Sequence, residues 1–148
     1  MTLKDRILEA VKTAMRAGDK PRLGALRLVT AALKQKEVDE RCELDDTAVL
    51  AVLEKMLKQR RESESQYRQA GRDDLAAREA FEIDIINEFM PPPLSAEALA
   101  ALIDEAVAAV TEPGPRAMGQ VMAALKPHIQ GRADPRQVSA LVRQRLGG

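Results

Sequence analysis

Aromatic side chains are almost missing from this chain: Tyr67, Phe81 and Phe89 are all it has, with no tryptophan. Ala, Leu, Glu, Arg and Lys are abundant instead, a composition that favours helices and excludes an all-β fold. One cysteine, Cys42, excludes an intrachain disulfide and any cysteine-rich zinc site. One histidine, His128, excludes a histidine-rich metal site. No metal and no cofactor is expected. No apolar run approaches the ~18–20 residues of a membrane span. The longest candidate, Ala98 to Val110, is interrupted by Asp104 and Glu105. Charges at Lys4, Asp5 and Arg6 stand where a secretory signal would need an apolar stretch. These absences lead to the expectation of a cytoplasmic protein without membrane contact. The phosphate-binding patterns G-x-x-x-x-G-K-[ST] and G-x-G-x-x-G after a strand are also absent, which argues against nucleotide binding.

What is present is a chain of 148 residues, 45% of them apolar, enough to bury a core. Leu3, Ile7, Val11 and Met15 recur every four residues and predict a first helix, Leu3 to Met15. Thr2 and Asp5 form its capping box. A second helix is predicted over Arg22 to Asp39. A third follows Asp45 or Asp46, either of which can cap it, and runs to about Ala70. From Arg60 to Gln66 it has no apolar residue. Such a stretch suggests a helix that projects past the core or pairs with another chain. The fourth helix, about Asp73 to Phe89, is polar in its first half. The two polar halves flank Gly71 and read as an antiparallel hairpin with its tip at Gly71-Arg72.

Pro91-Pro92-Pro93 forbids a helix and marks the predicted boundary between a domain over 1–92 and one over 93–148. In the second, Ser95 caps a fifth helix. A sixth is expected over Arg116 to Leu125, ended by Lys126-Pro127. Gly131-Arg132-Ala133 reads as a turn. Asp134-Pro135 then supplies an N-cap followed by proline at the first position of the seventh helix. The fold class is therefore all-α: a helical N-terminal domain with a long hairpin, and a small three-helix bundle.

Conventional catalytic groupings are absent. Cys42 reads as an ordinary thiol in a charged connector, and His128 as a surface or turn residue. Glu79, Glu82 and Asp84 read as solvated charges on a helix rather than an acid–base pair. No residue is identified as catalytic. Positive features are cationic. Lys58, Arg61, Ser65, Arg68 and Arg72, spaced three, four, three and four, share one helix side and could track a phosphate backbone. The alternative is a solvated face balanced by Glu54, Glu62 and Glu64. Net charge over the chain is zero, yet residues 113–148 carry Arg116, Lys126, Arg132, Arg136, Arg143 and Arg145 against Asp134 alone. That imbalance suits either a polyanion or the acidic parts of the N-terminal half. Gly119 inside a helix costs ~1 kcal/mol against alanine and suggests close approach of a backbone or ligand. Gly131 allows a left-handed turn. Asp134, as a cap, uses amide donors that a phosphate would otherwise take. Phosphate contacts would then come mainly from Arg132, Arg136 and Lys126 side chains, with Arg143 a further candidate; the segment reads equally as a tight structural turn. Scarce aromatics leave shape and phosphates, not base stacking, as the mode of RNA contact.

In order along the chain, Asp19-Lys20 through Arg27, Lys58-Gln59-Arg60-Arg61-Glu62-Ser63, Gln69 to Leu75 and Pro91 to Ser95 form a recognisable series. It continues with Met118-Gly119-Gln120-Val121-Met122 and Gly131-Arg132-Ala133-Asp134. With these the chain resembles the YqeY family over its whole length. The C-terminal part of that family resembles the tail domain of GatB, a subunit of the tRNA-dependent amidotransferase. Asp134-Pro135 departs from the Asp-Gly or Asn-Pro common there, and keeps the helix start. The resemblance implies an all-α protein, and in the amidotransferase the tail domain it resembles is associated with tRNA binding. The resemblance also carries a carbon–nitrogen ligase label with glutamine as amido donor, whose catalytic domain has no counterpart here. Three functions follow as expectations: a tRNA-binding accessory module, a protein-interaction adaptor, and, last, a ligase.

Overall fold

In the computed structural model, residues 1–110 and 114–147 are described, and within them seven α-helices and no strand occur. The chain divides into two compact units, Met1–Met90 and Pro91–Gly148.

The first unit is built from α1 (Leu3–Ala17), α2 (Lys20–Glu40), α3 (Asp46–Gln69) and α4 (Asp73–Asn87). Local chemistry sets most of its helix ends. Thr2 Oγ1 accepts from the Asp5 amide while Asp5 accepts from the Thr2 amide, which closes the capping box. Gly18, at φ 68°, ends α1 in the left-handed conformation that glycine adopts without steric cost. Asp19 caps α2, and proline falls in its first turn. Asp45, not Asp46, caps α3 through the Ala48 amide. Asp46 instead accepts from the Leu3 amide at 2.9 Å and ties the start of α3 to the start of α1.

Ile7, Leu26, Val29, Leu33, Val49, Leu53 and Ile86 fill the core of this unit. On α1 the predicted stripe drifts. Leu3 and Ile7 are buried, Val11 is half-buried, and Met15 is 55% exposed while Ala14 is buried. Four-residue steps exceed the 3.6-residue turn, so the stripe rotates about 40° per step and Ala14 takes the inner place. The polar run on α3 pairs within the chain. Beyond Leu57 and Ile83 the α3–α4 hairpin continues past the core cluster. There Arg60 Nη1 lies 2.9 Å from Glu82 Oε2 and 3.5 Å from Glu79 Oε2, with all three side chains mostly sheltered. Glu79 and Glu82 are thus not the solvated charges that their density on the helix suggests. Burial raises the Glu82 carboxyl above its ordinary range, against the opposing pull of Arg60. Gly71, at φ 73°, makes the tip.

The second unit holds α5 (Ala96–Ala108), α6 (Met118–Ile129) and α7 (Pro135–Arg145), with one 3₁₀ turn, Pro115–Ala117, before α6. Ile103, Val121, Leu125, Val138 and Val142 are its most buried residues. Ser95 caps α5 through the Ala98 amide, and Asp134 caps α7 through the Arg136 amide. The expected stop at Lys126-Pro127 does not occur. Pro127 lies inside α6, which runs on to Ile129, and His128 is an exposed helical residue rather than a loop residue. Proline removes one helical hydrogen bond. Burial of Ile129 in the bundle offsets that loss.

Candidate nucleic-acid interface

The cations of the second unit take up different tasks. Arg136 and Arg143 lie seven residues apart on α7, two turns or about 10 Å along one face. With Met122, Pro135, Ser139 and Ala140 they line a shallow groove of about 420 Å³, and no carboxylate is among its described lining residues. Lys126 is exposed on α6, four residues on from Met122 and so on the same side of that helix. No ion pair is formed by Lys126, Arg136 or Arg143 among the described residues. Three like charges so placed raise the local potential without an internal counter-ion.

Arg132 differs. Its Nε donates to the Pro92 carbonyl at 3.0 Å, while its own carbonyl accepts from the Leu94 amide at 2.9 Å. It closes the proline segment onto the α6–α7 turn, where Gly131 holds φ 73°. Arg145, which the charge imbalance alone groups with the others, is paired with Asp104 of α5. Gly119 was expected to mark a close approach. It lies exposed in the first turn of α6, and a β-carbon there would meet nothing within 4 Å.

The α3 stripe is also divided. Lys58 and Arg61 are exposed and unpaired among the described residues. Arg68 donates to Glu64, one turn back, at 2.9 Å. Arg72 lies past the end of α3, as the residue before α4, and is held by Asp74. That hydrogen bond raises the Arg72 pKa and lowers that of Asp74. Sequence spacing names Glu64 among the balancing acids, as observed for Arg68, and misses Asp74, which lies across the tip in the first turn of α4. Of the three aromatic rings, Phe89 is buried, Tyr67 is half-buried, and Phe81 of α4 is exposed. No grouping of three metal-ligating side chains occurs among the described residues. No helix among them is long and apolar enough to cross a membrane.

The profile of the Yqey-like protein family matches residues 4–146. The chain belongs to the YqeY family. Proteins named altered inheritance of mitochondria protein 41, mitochondrial, are similar to it. That of Eremothecium gossypii is 39% identical over 97 residues, covering 64% of this chain and 53% of the relative. That of Pyrenophora tritici-repentis is 27% identical over 145 residues, covering 96% of this chain and 80% of the relative. A Saccharomyces cerevisiae relative is 34% identical over 89 residues, 59% of this chain and 48% of its own. The matched region thus spans about half of the first and third relatives. The expectation of a cytoplasmic protein is overturned by these relatives, each of which is named as mitochondrial. Its basis was composition, and neither a lone thiol nor a charged N-terminus distinguishes one compartment from another.

Proposed function

We propose that this YqeY-family chain is an RNA-binding accessory module whose C-terminal unit contacts the phosphates of a folded RNA, tRNA being the first candidate. The observation that carries this reading is the groove on α7, lined by Arg136 and Arg143 with no acid among its described lining residues, and Lys126 on the Met122 side of α6. Lys58 and Arg61 on α3 supply a second, smaller set of unpaired cations. The resemblance of the C-terminal part to the amidotransferase tail domain supports the same substrate class. The setting suggested by the relatives' names is mitochondrial. The reading assigns no reaction to the chain.

The test is binding of the purified full chain to bulk tRNA and to an unstructured RNA of equal length, across a salt series. Preference for tRNA is expected, with affinity falling as salt rises. Arg136→Ala and Arg143→Ala should each weaken binding and lower the salt slope by about one. Equal binding of the two RNAs, or no binding at low salt, would overturn the reading.

A further inference from the structure

On α2 the residues Gly24, Leu28, Ala31, Gln35 and Val38 step by four, three, four and three. Their mean spacing of ~3.5 residues is that of a coiled-coil seam. All five are exposed, Leu28 at 44% and Val38 at 63%. The buried side of the same helix is a different set: Ala25, Leu26, Val29 and Leu33. α2 therefore carries two apolar faces, of which its own unit covers one. Beside the exposed face, Leu8 of α1 is 41% exposed and, with Arg27, Thr30, Ala31 and Lys34, lines a groove of about 480 Å³. Gly24 leaves room for close approach, since a β-carbon there would meet nothing within 4 Å.

On the groove side of this seam, the charges left without an ion pair among the described residues are of one sign. Arg27 and Lys34, seven residues apart, run along the flank facing the groove, and neither forms an ion pair among the described residues. Among the described residues Glu37 is the one acid that lines the groove. It is already engaged: Lys4 Nζ lies 2.8 and 3.1 Å from its two oxygens, and the Leu44 amide donates at 3.1 Å. Asp39, on the opposite edge, accepts from Gln35.

We propose that this outer face of α2, with the groove beside α1, docks an amphipathic helix of a protein partner that carries acidic side chains along its apolar seam. Leu8, Leu28 and Val38 lose water against the partner's apolar residues, while Arg27 and Lys34 meet its acids. A phosphate backbone would satisfy the cations and leave the apolar residues nothing to bury against. An antiparallel copy of the same face would set Arg27 and Lys34 against their own kind, which disfavours antiparallel self-pairing.

Two synthetic helical peptides test this on the full chain, both with leucine along the seam, one with glutamate on its flanks and the other with lysine. Fluorescence anisotropy should show binding of the glutamate peptide that weakens with salt. The paired change Arg27→Glu and Lys34→Glu should cost that peptide about tenfold and confer binding of the lysine peptide. Leu28→Ser should weaken the glutamate peptide while circular dichroism shows the fold intact. Arg136→Ala should leave peptide binding unchanged, which separates this surface from the RNA reading. Failure of the glutamate peptide to bind, or equal binding of the two peptides, would overturn the proposal. So would a dimer in sedimentation that Leu28→Ser abolishes, or loss of tRNA binding in the Arg27/Lys34 variant.

Discussion

Glycines in this chain do opposite things at different positions. Gly119 has helical surroundings and open space where a β-carbon would sit. Gly119→Ala should therefore raise stability by about 0.5–1 kcal/mol, read from the urea midpoint of the second unit. Gly131, at φ 73°, makes the α6–α7 turn, and Gly131→Ala should lower stability by about 1–2 kcal/mol in the same assay. The arginines divide in the same way. Arg132→Ala removes the bond to the Pro92 carbonyl and should cost about 1 kcal/mol, whereas Arg136→Ala should leave the unfolding midpoint unchanged. Sequence alone placed both arginines at one site because charge and proximity to a helix start were all it offered. A contact between Arg132 and Pro92, forty residues apart, has no local signature. Likewise Asp104 gave no sign that it would take Arg145.

Whole elements were legible where a cap or a breaker is spelled out in neighbouring residues. Thr2 with Asp5, Asp45, Ser95 and Asp134-Pro135 all begin helices as their chemistry requires. Pro127 misled, because a proline is a stop signal only until tertiary burial, here of Ile129, outweighs it. Contacts between elements carry the pH response. Lys4 of α1 holds Glu37 of α2 by hydrogen bond, and the Leu44 amide adds a second, so the Glu37 carboxyl titrates below its ordinary value of 4.5. A depressed carboxylate contributes stability above its unfolded pKa and loses it as pH falls through the folded one. Thermal unfolding should show a decline beginning near the ordinary glutamate range, and Glu37→Gln should flatten that limb. Lys4, whose pKa is raised chiefly by the same bond, gives the mirror image: its contribution is present at neutral pH and fades as pH rises through the folded value. Glu82, raised by burial, opposes the acid limb, since its protonated form is the one the hairpin accommodates better.

Among the described residues of the whole molecule two separate apolar clusters exist, one within residues 3–90 and one within 94–146. Leu26 and Leu125 are each almost fully buried, in different clusters. Leu26→Ala and Leu125→Ala should each cost about 2–5 kcal/mol. Hydrogen exchange should then show protection lost mainly in α1–α4 for the first and in α5–α7 for the second. The loss of protection in both units from either change would mean that they unfold together. The two proposed surfaces, the α7 groove and the outer face of α2, belong to different units, so damage to one should leave binding at the other unchanged.

The arm that α3 and α4 extend past the core, clasped by Arg60 between Glu79 and Glu82, also limits how this fold can evolve in length. A residue inserted on one side alone, between the clasp and Gly71, would rotate the side chains from there to the tip by about 100° out of register with the facing helix. Insertions or deletions tolerated near Gly71 should therefore come in matched steps on both sides, of about seven residues each, which restore two turns of facing. Descendants of this chain with longer or shorter arms should differ in whole steps of that size, with the arginine and its two acids still opposite one another.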